Sequence, residues 1–211
     1  MRRDALAPYE ESLSDAGDLA LVSETGEVLA LDVRRYLDDV DDGDESILAR
    51  CEGPTLDLGA GPGRMVRALA ARGVVALGVD LAAGAVAISN EHGGIALQRD
   101  VFERLPGEGR WTEVLLVDGN VGIGGDVARL LDRVDALLDR DGRLIAETAA
   151  DGDVDIVWQA RFVRGGSVTG PAFPWAQIGT AALLRHAARF GFVQRETWTH
   201  GARHFVELTP G

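Results

Sequence analysis

The residues of this chain best placed to do chemistry are three acids, each at the end of an apolar run. Asp57 lies in Thr55-Leu56-Asp57-Leu58 and Asp80 closes Val74-Val75-Ala76-Leu77-Gly78-Val79-Asp80. Asp100 follows Ile95-Ala96-Leu97-Gln98-Arg99 and is followed by Val101-Phe102. Between the first two stands Gly59-Ala60-Gly61-Pro62-Gly63, three glycines at alternate positions, and then a helix-forming stretch from Arg64 closed by Gly73. Glycines at such a turn let the backbone bend sharply and approach a ligand with no Cβ in the way. A strand, a tight loop and a helix form the unit that binds nucleotide-like ligands at the carboxyl edge of a parallel sheet. Asp57 distinguishes this loop from one built only for phosphate, because a carboxylate there suits a cationic group and repels a pyrophosphate. Asp80 falls about 20 residues past the loop, where a carboxylate accepts both ribose hydroxyls of an adenosine. Asp100 is set to accept from the exocyclic amine of an adenine.

The elements that must carry these acids read as alternating strands and helices. Ala176 to Phe190 has helical periodicity and stops at Gly191. Phe192 to Thr199 and Arg203 to Leu208 predict a closing antiparallel hairpin. Ahead of the first core strand, Leu19 to Leu31 reads as a β-hairpin turning at Gly26, with short helices over Leu31 to Leu37 and Glu45 to Arg50. These give an expected division into a cap at 1–50 and a core at 51–211. The cap either covers a site or only completes the core's surface, and Tyr9 and Tyr36 are its candidate lid contacts.

The three acids, the loop and the element order resemble the class I S-adenosylmethionine-dependent methyltransferases, over roughly Cys51 to Pro210. The chain is also similar to a group of small bacterial methyltransferases whose substrates are mostly unassigned. The resemblance implies an α/β, Rossmann-like three-layer sandwich. Its seven-stranded, mostly parallel sheet has the order 3-2-1-4-5-7-6, with the last strand antiparallel. The family's fourth strand corresponds to Trp111 to Val117, followed by Asp118-Gly119-Asn120, and the helix Val127 to Leu138 and the strand Arg143 to Glu147 continue the same order. It implies S-adenosylmethionine as cofactor and S-adenosylhomocysteine as product. Asp57, Gly59, Ala60, Gly61 and Gly63 would hold the methionine end, Asp80 the ribose, and Leu81, Asp100 and Val101 the adenine. Asp118 and Asn120 would then sit beside the reactive methyl, as candidates either for catalysis or, for Asp118, for cofactor contact. Transfer would run in line to a small-molecule acceptor lined by Asn120, Trp158, Phe173 and Trp175. Each aromatic has packing as its alternative role. A loop with glycine at four of the seven positions 119–125 favours close backbone approach or mobility.

Two other readings share the Gly-rich loop. A nicotinamide-dependent oxidoreductase is disfavoured, because its pattern is Gly-x-Gly-x-x-Gly and here Arg64 follows a Gly-x-Gly-x-Gly spacing. A cofactor-binding module without transferase activity fits the same residues.

Composition narrows the field. The 211 residues suit one domain with a full core. There are 34 Asp plus Glu against 21 basic residues, giving a net charge of −13, which leaves no broad basic face for nucleic acid. The chain contains no lysine, so Schiff-base chemistry through a lysine amine is excluded. The acidic stretch Asp38 to Glu45 reads as a solvated edge. One cysteine, Cys51, gives neither a disulfide framework nor a thiol metal site. Of the histidines, His92 and His186 read as structural. His200 and His204 flank the final turn at a hairpin's spacing, which sets no metal site. The polar start Met1-Arg2-Arg3-Asp4 and the absence of a long apolar run point to a cytoplasmic protein.

Overall fold

In the computed structural model residues 3–211 are described. Met1 and Arg2, the start of the polar N terminus, lie outside the described residues. The core is a sheet of seven strands: β3 (Thr55–Leu58), β4 (Ala76–Asp80), β5 (Ala96–Gln98), β6 (Trp111–Leu116), β7 (Leu138–Thr148), β10 (Phe192–His200) and β11 (Arg203–Pro210). Their spatial order is β5-β4-β3-β6-β7-β11-β10. The five strands from β5 to β7 run parallel, and β11 lies antiparallel to both neighbours. Order and direction match the expected 3-2-1-4-5-7-6 arrangement.

Strands buried on both faces read as near-continuous apolar runs, as β3 and β6 do. Leu115, Ile145 and Phe205 turn to one face, where α3 (Asp42–Leu48) and α4 (Arg64–Ala71) bring Ile47, Leu48, Met65 and Leu69. Leu116, Leu144 and Val206 turn to the other, against Leu130, Val134 and Leu137 of α6 (Val127–Leu137) and Leu183 of α7 (Thr180–Ala187). No helix among the described residues is long and apolar enough to cross a membrane.

A second sheet lies over the carboxyl edge of the first. It has four antiparallel strands in the order β2-β1-β8-β9, with β1 (Leu19–Ser23), β2 (Val28–Leu31), β8 (Asp155–Arg164) and β9 (Ser167–Ile178). The predicted hairpin at 19–31 is therefore present. Its partner is a second hairpin inserted between β7 and α7, with Leu19 opposite Arg164 and Ser23 opposite Ala160. Two expectations are corrected here. The aromatic stretch around Phe173 and Trp175 is strand rather than loop, and helix begins at Thr180 instead of Ala176. Prolines 171 and 174 hid the strand, and β9 tolerates them because it is an edge with one neighbour. A helix not foreseen, α1 (Ala7–Asp15), packs beneath this sheet against α5 (Ala83–Glu91). The remaining short helix, α2 (Val33–Leu37), follows β2.

Candidate active site

The ends of β3, β4, β5 and β6 open into one cleft, roofed by α1 and the four-stranded sheet. It holds about 1010 Å³ of empty space including its mouth. Eleven of the sequence-predicted residues line it: Gly59, Ala60, Gly61, Asp80, Leu81, Asp100, Val101, Asp118, Asn120, Phe173 and Trp175. Gly63 and Trp158 do not. Gly63 is the N-cap of α4, and a Cβ there would stand 2.0 Å from Ser89 Oγ, so it serves helix packing. Trp158 is the register partner of Trp175, with its indole Nε1 buried and without a hydrogen-bond partner among the described residues. Asp57 sits behind the lining, 3% exposed.

The loop after β3 takes its shape from positive φ at Gly59 (76°) and Gly61 (54°). The Gly61 N–H donates to Asp80 Oδ2 at 2.9 Å, and the Ala82 N–H to Oδ1 at 2.8 Å. Burial raises the Asp80 pKa, and these two donors pull the other way. Asp57 has no side-chain hydrogen-bond partner among the described residues. Burial lifts its pKa to about 7, with Arg64 opposing and the charges of Asp118 and Asp80 reinforcing. At Asp100, Oδ1 accepts from the Phe102 N–H at 3.0 Å.

Asp118 follows β6 with φ of 59°, a conformation non-glycine residues rarely hold. Its N–H donates to Glu147 Oε2 at 2.9 Å. Its carboxylate takes Arg64 at 2.7 and 3.2 Å and is also bound by Arg35 Nη1. Arg64 in turn forks onto Asp44 at 2.8 and 3.0 Å. Arg203 forks onto Glu147 at 2.9 and 2.8 Å and reaches Asp41 and Asp44 at 2.9 Å each. Arg35 adds Asp41 at 2.8 Å and Asp44 at 2.9 Å. Three guanidiniums thus knit four carboxylates under the floor of the cleft. The Asp44 side chain is wholly buried. Burial alone would raise its pKa, but Arg64, Arg203 and Arg35 hold it well below the usual carboxylate range.

This network corrects the reading of Asp38 to Glu45 as solvated at one acid, Asp44; Asp38, Asp39, Asp41, Asp42 and Glu45 are exposed as expected. Two signals were present in the sequence. Asp41 and Asp44 have capping-box spacing and do form one. Arg64 opens a helix, where the dipole disfavours a cation unless carboxylates meet it.

On the roof, Tyr9 of α1 sets its hydroxyl 2.9 Å from where a Gly61 Cβ would lie. Glu10 Oε1 accepts from the Gly84 N–H at 2.9 Å, which fixes α1 to the start of α5. Burial, then the charge of Asp80, pushes the Tyr9 pKa well up; burial and Asp118 do the same for Tyr36. Both tyrosines line the cleft, and neither hydroxyl has a hydrogen-bond partner among the described residues. The loop after β6 makes the close backbone approach its glycines allow. A Cβ at Gly122 would stand 2.1 Å from the Ala176 carbonyl oxygen, and Ile123 bridges to Trp175. Asn120 Nδ2 donates to the Gly59 carbonyl at 2.9 Å, tying the first loop to the fourth. The histidines stand apart: His186 pairs with Asp155 at 3.0 Å, and none lines the cleft.

No protein-family model matches the chain, and no curated protein matches it. Solved structures do. A SAM-dependent methyltransferase from Bacteroides fragilis, in complex with S-adenosyl-L-homocysteine, superposes with a TM-score of 0.78 at 21% identity, over 99% of this chain and 95% of that one. The CcbJ methyltransferase from Streptomyces caelestis gives 0.64 at 15% identity, over 83% and 92%. The glycopeptide N-methyltransferase MtfA, complexed with S-adenosyl-L-methionine, gives 0.61 at 15%, over 82% and 96%. The fold is that of the class I S-adenosylmethionine-dependent methyltransferases.

Proposed function

We propose that the chain is an S-adenosylmethionine-dependent methyltransferase acting on a small-molecule acceptor. The observation that carries this reading is one cleft lined by Asp80, Asp100 and the Gly59–Gly61 loop, with Asp57 buried just behind it. A carboxyl buried at the end of β3 without a hydrogen-bond partner is costly unless a cation meets it. Both S-adenosylmethionine and S-adenosylhomocysteine bring an ammonium, whereas a dinucleotide would bring a pyrophosphate. Asp80 would hold the ribose hydroxyls with the lone pairs its two backbone donors leave open. Asp100, Val101, Leu81 and Phe102 would frame the adenine. When bound, S-adenosylmethionine supplies an electrophilic methyl on a sulfonium.

The chain's own part is to bind, align and keep out water. Asp118, with both oxygens in ion pairs, is a positioning residue in this reading, as is Asn120. Residues 1–50 act as a cap together with β8 and β9, and the acceptor enters on the cap's side for in-line transfer. Calorimetry with S-adenosylhomocysteine, S-adenosylmethionine and NAD tests the cofactor. Binding of NAD as tightly as the other two would overturn the reading. A screen with labelled methyl donor separates an enzyme from a cofactor-binding module, because the module stays silent across acceptors.

A further inference from the structure

A second cavity, about 750 Å³ including its mouth, adjoins the first and shares Leu31, Tyr36, Asp118 and Trp175 with it. One wall belongs to the four-stranded sheet, with Leu29 from β2 and Ala176 and Ile178 from β9. The other belongs to the ends of β6 and β7, with Val121 and Glu147.

Its charges are uneven. Asp32, Asp118 and Glu147 line it against one cation, Arg35. All three Arg35 guanidinium nitrogens already donate to carboxylates, those of Asp41, Asp44 and Asp118. Asp118 and Glu147 are neutralised by Arg64 and Arg203. Asp32 is not neutralised. Its Oδ1 accepts from the Arg35 N–H at 3.1 Å and caps α2, while Oδ2 has no partner among the described residues. The cavity therefore offers apolar surface bordered by an exposed carboxylate, Asp32, with one oxygen free, and no free cation among the described residues.

Resting on the methyltransferase reading, we propose that this second cavity receives the methyl acceptor and selects an apolar molecule carrying an ammonium or other organic cation. The cation lies against Asp32, and the group to be methylated points through the shared wall between Tyr36 and Trp175. An anion of the same shape meets only carboxylates and spent arginines, so repulsion supplies the selectivity.

The test is calorimetry on the full chain saturated with S-adenosylhomocysteine, using phenethylamine and 3-phenylpropionate as probes of one shape and opposite charge. Phenethylamine is expected to bind at least tenfold more tightly. Asp32→Asn keeps the α2 cap, since asparagine caps as well as aspartate. It should lower phenethylamine affinity at least threefold with S-adenosylhomocysteine affinity unchanged. Gln177→Arg, on the cavity wall, should reverse the preference. Equal binding of the two probes, no binding of either, or indifference to both substitutions overturns the proposal. Failure of S-adenosylhomocysteine to bind would instead strike the cofactor reading, and the probe preference is then measured on the ligand-free chain.

Discussion

The carboxyl edge of the parallel sheet and the four-stranded sheet above it are held by different physics. Below, three arginines and four carboxylates interlock around a side chain with no solvent contact, Asp44. Above, apolar rings do the packing: Phe162 lies 5.1 Å from Phe173, and Phe173 meets Trp175 edge-on at 6.4 Å. Buried charge is unforgiving of a missing partner, whereas apolar contact degrades by degrees. The floor should thus be rigid and all-or-none, and the roof tolerant and adjustable. In the proposed reading, that suits a fixed cofactor below and a variable acceptor above.

The sharpest break of this contrast is Arg64→Met, which takes the forked partner from buried Asp44 and two contacts from Asp118, leaving four carboxylates to Arg35 and Arg203. It should cost about 3–5 kcal/mol of stability in urea unfolding. A loss under about 1 kcal/mol would mean that the network does not hold the floor. Next comes Gly122→Ala, where the new Cβ meets backbone of β9. It should cost roughly 1–3 kcal/mol and loosen roof from floor, read as faster amide exchange in β9. Unchanged exchange there would separate the roof from this contact. Asp80→Ala should weaken S-adenosylhomocysteine binding at least tenfold if, as proposed, it removes two hydroxyl contacts. Unchanged affinity would place the ribose elsewhere.

Asp57 gives a test in pH. Its folded pKa, about 7, lies above the ordinary carboxylate value near 3.9. The fold therefore favours the protonated form, so this group's contribution to ligand-free stability falls as pH rises from about 4 to about 7. A cationic ligand needs the ionised form. Affinity for S-adenosylhomocysteine should climb several-fold between about pH 6 and 7.5, with a proton released, and Asp57→Asn should flatten that rise. A flat profile in the unsubstituted chain would remove Asp57 from the ammonium contact. Asp44 titrates the other way: its contribution is complete above the ordinary carboxylate range and is lost only as acid drops below it. The smallest effect belongs to the roof. Arg164 ties β8 to Ser12 and Glu11 of α1 at 3.1 and 3.4 Å, and also pairs with Asp15. Arg164→Ala should cost less than about 1 kcal/mol in the same unfolding assay, and a loss above about 2 kcal/mol would show the roof to be as brittle as the floor.

The two regions also differed in how far they could be read from sequence. Asp57, Asp80 and Asp100 each end a local apolar run beside a turn signal, so short windows placed them, and the sheet order came with the resemblance. The roof depends on pairing Leu19 with Arg164, which no local pattern carries. Helix α1 was missed because no side chain caps it and its entry is marked only by Pro8 and by Glu10 in the first turn. Strand β9 was missed because its prolines mimic a loop. Asp44 was misread because its neighbours Asp42 and Glu45 are exposed, and composition cannot single out the one acid that turns inward.

The pairing of β1 with β8 has a consequence during synthesis. Their partners stand about 145 positions apart in the chain. At roughly 5–20 residues per second on the ribosome, the first hairpin emerges on the order of 7–30 s before the strand that will cover its edge. Through that interval its inner face of Leu19 and Leu21 has no sheet to join, and a lone two-stranded hairpin is marginal in water. The nascent chain therefore carries a waiting strand edge, open to a chaperone or to a neighbouring copy, until β8 arrives.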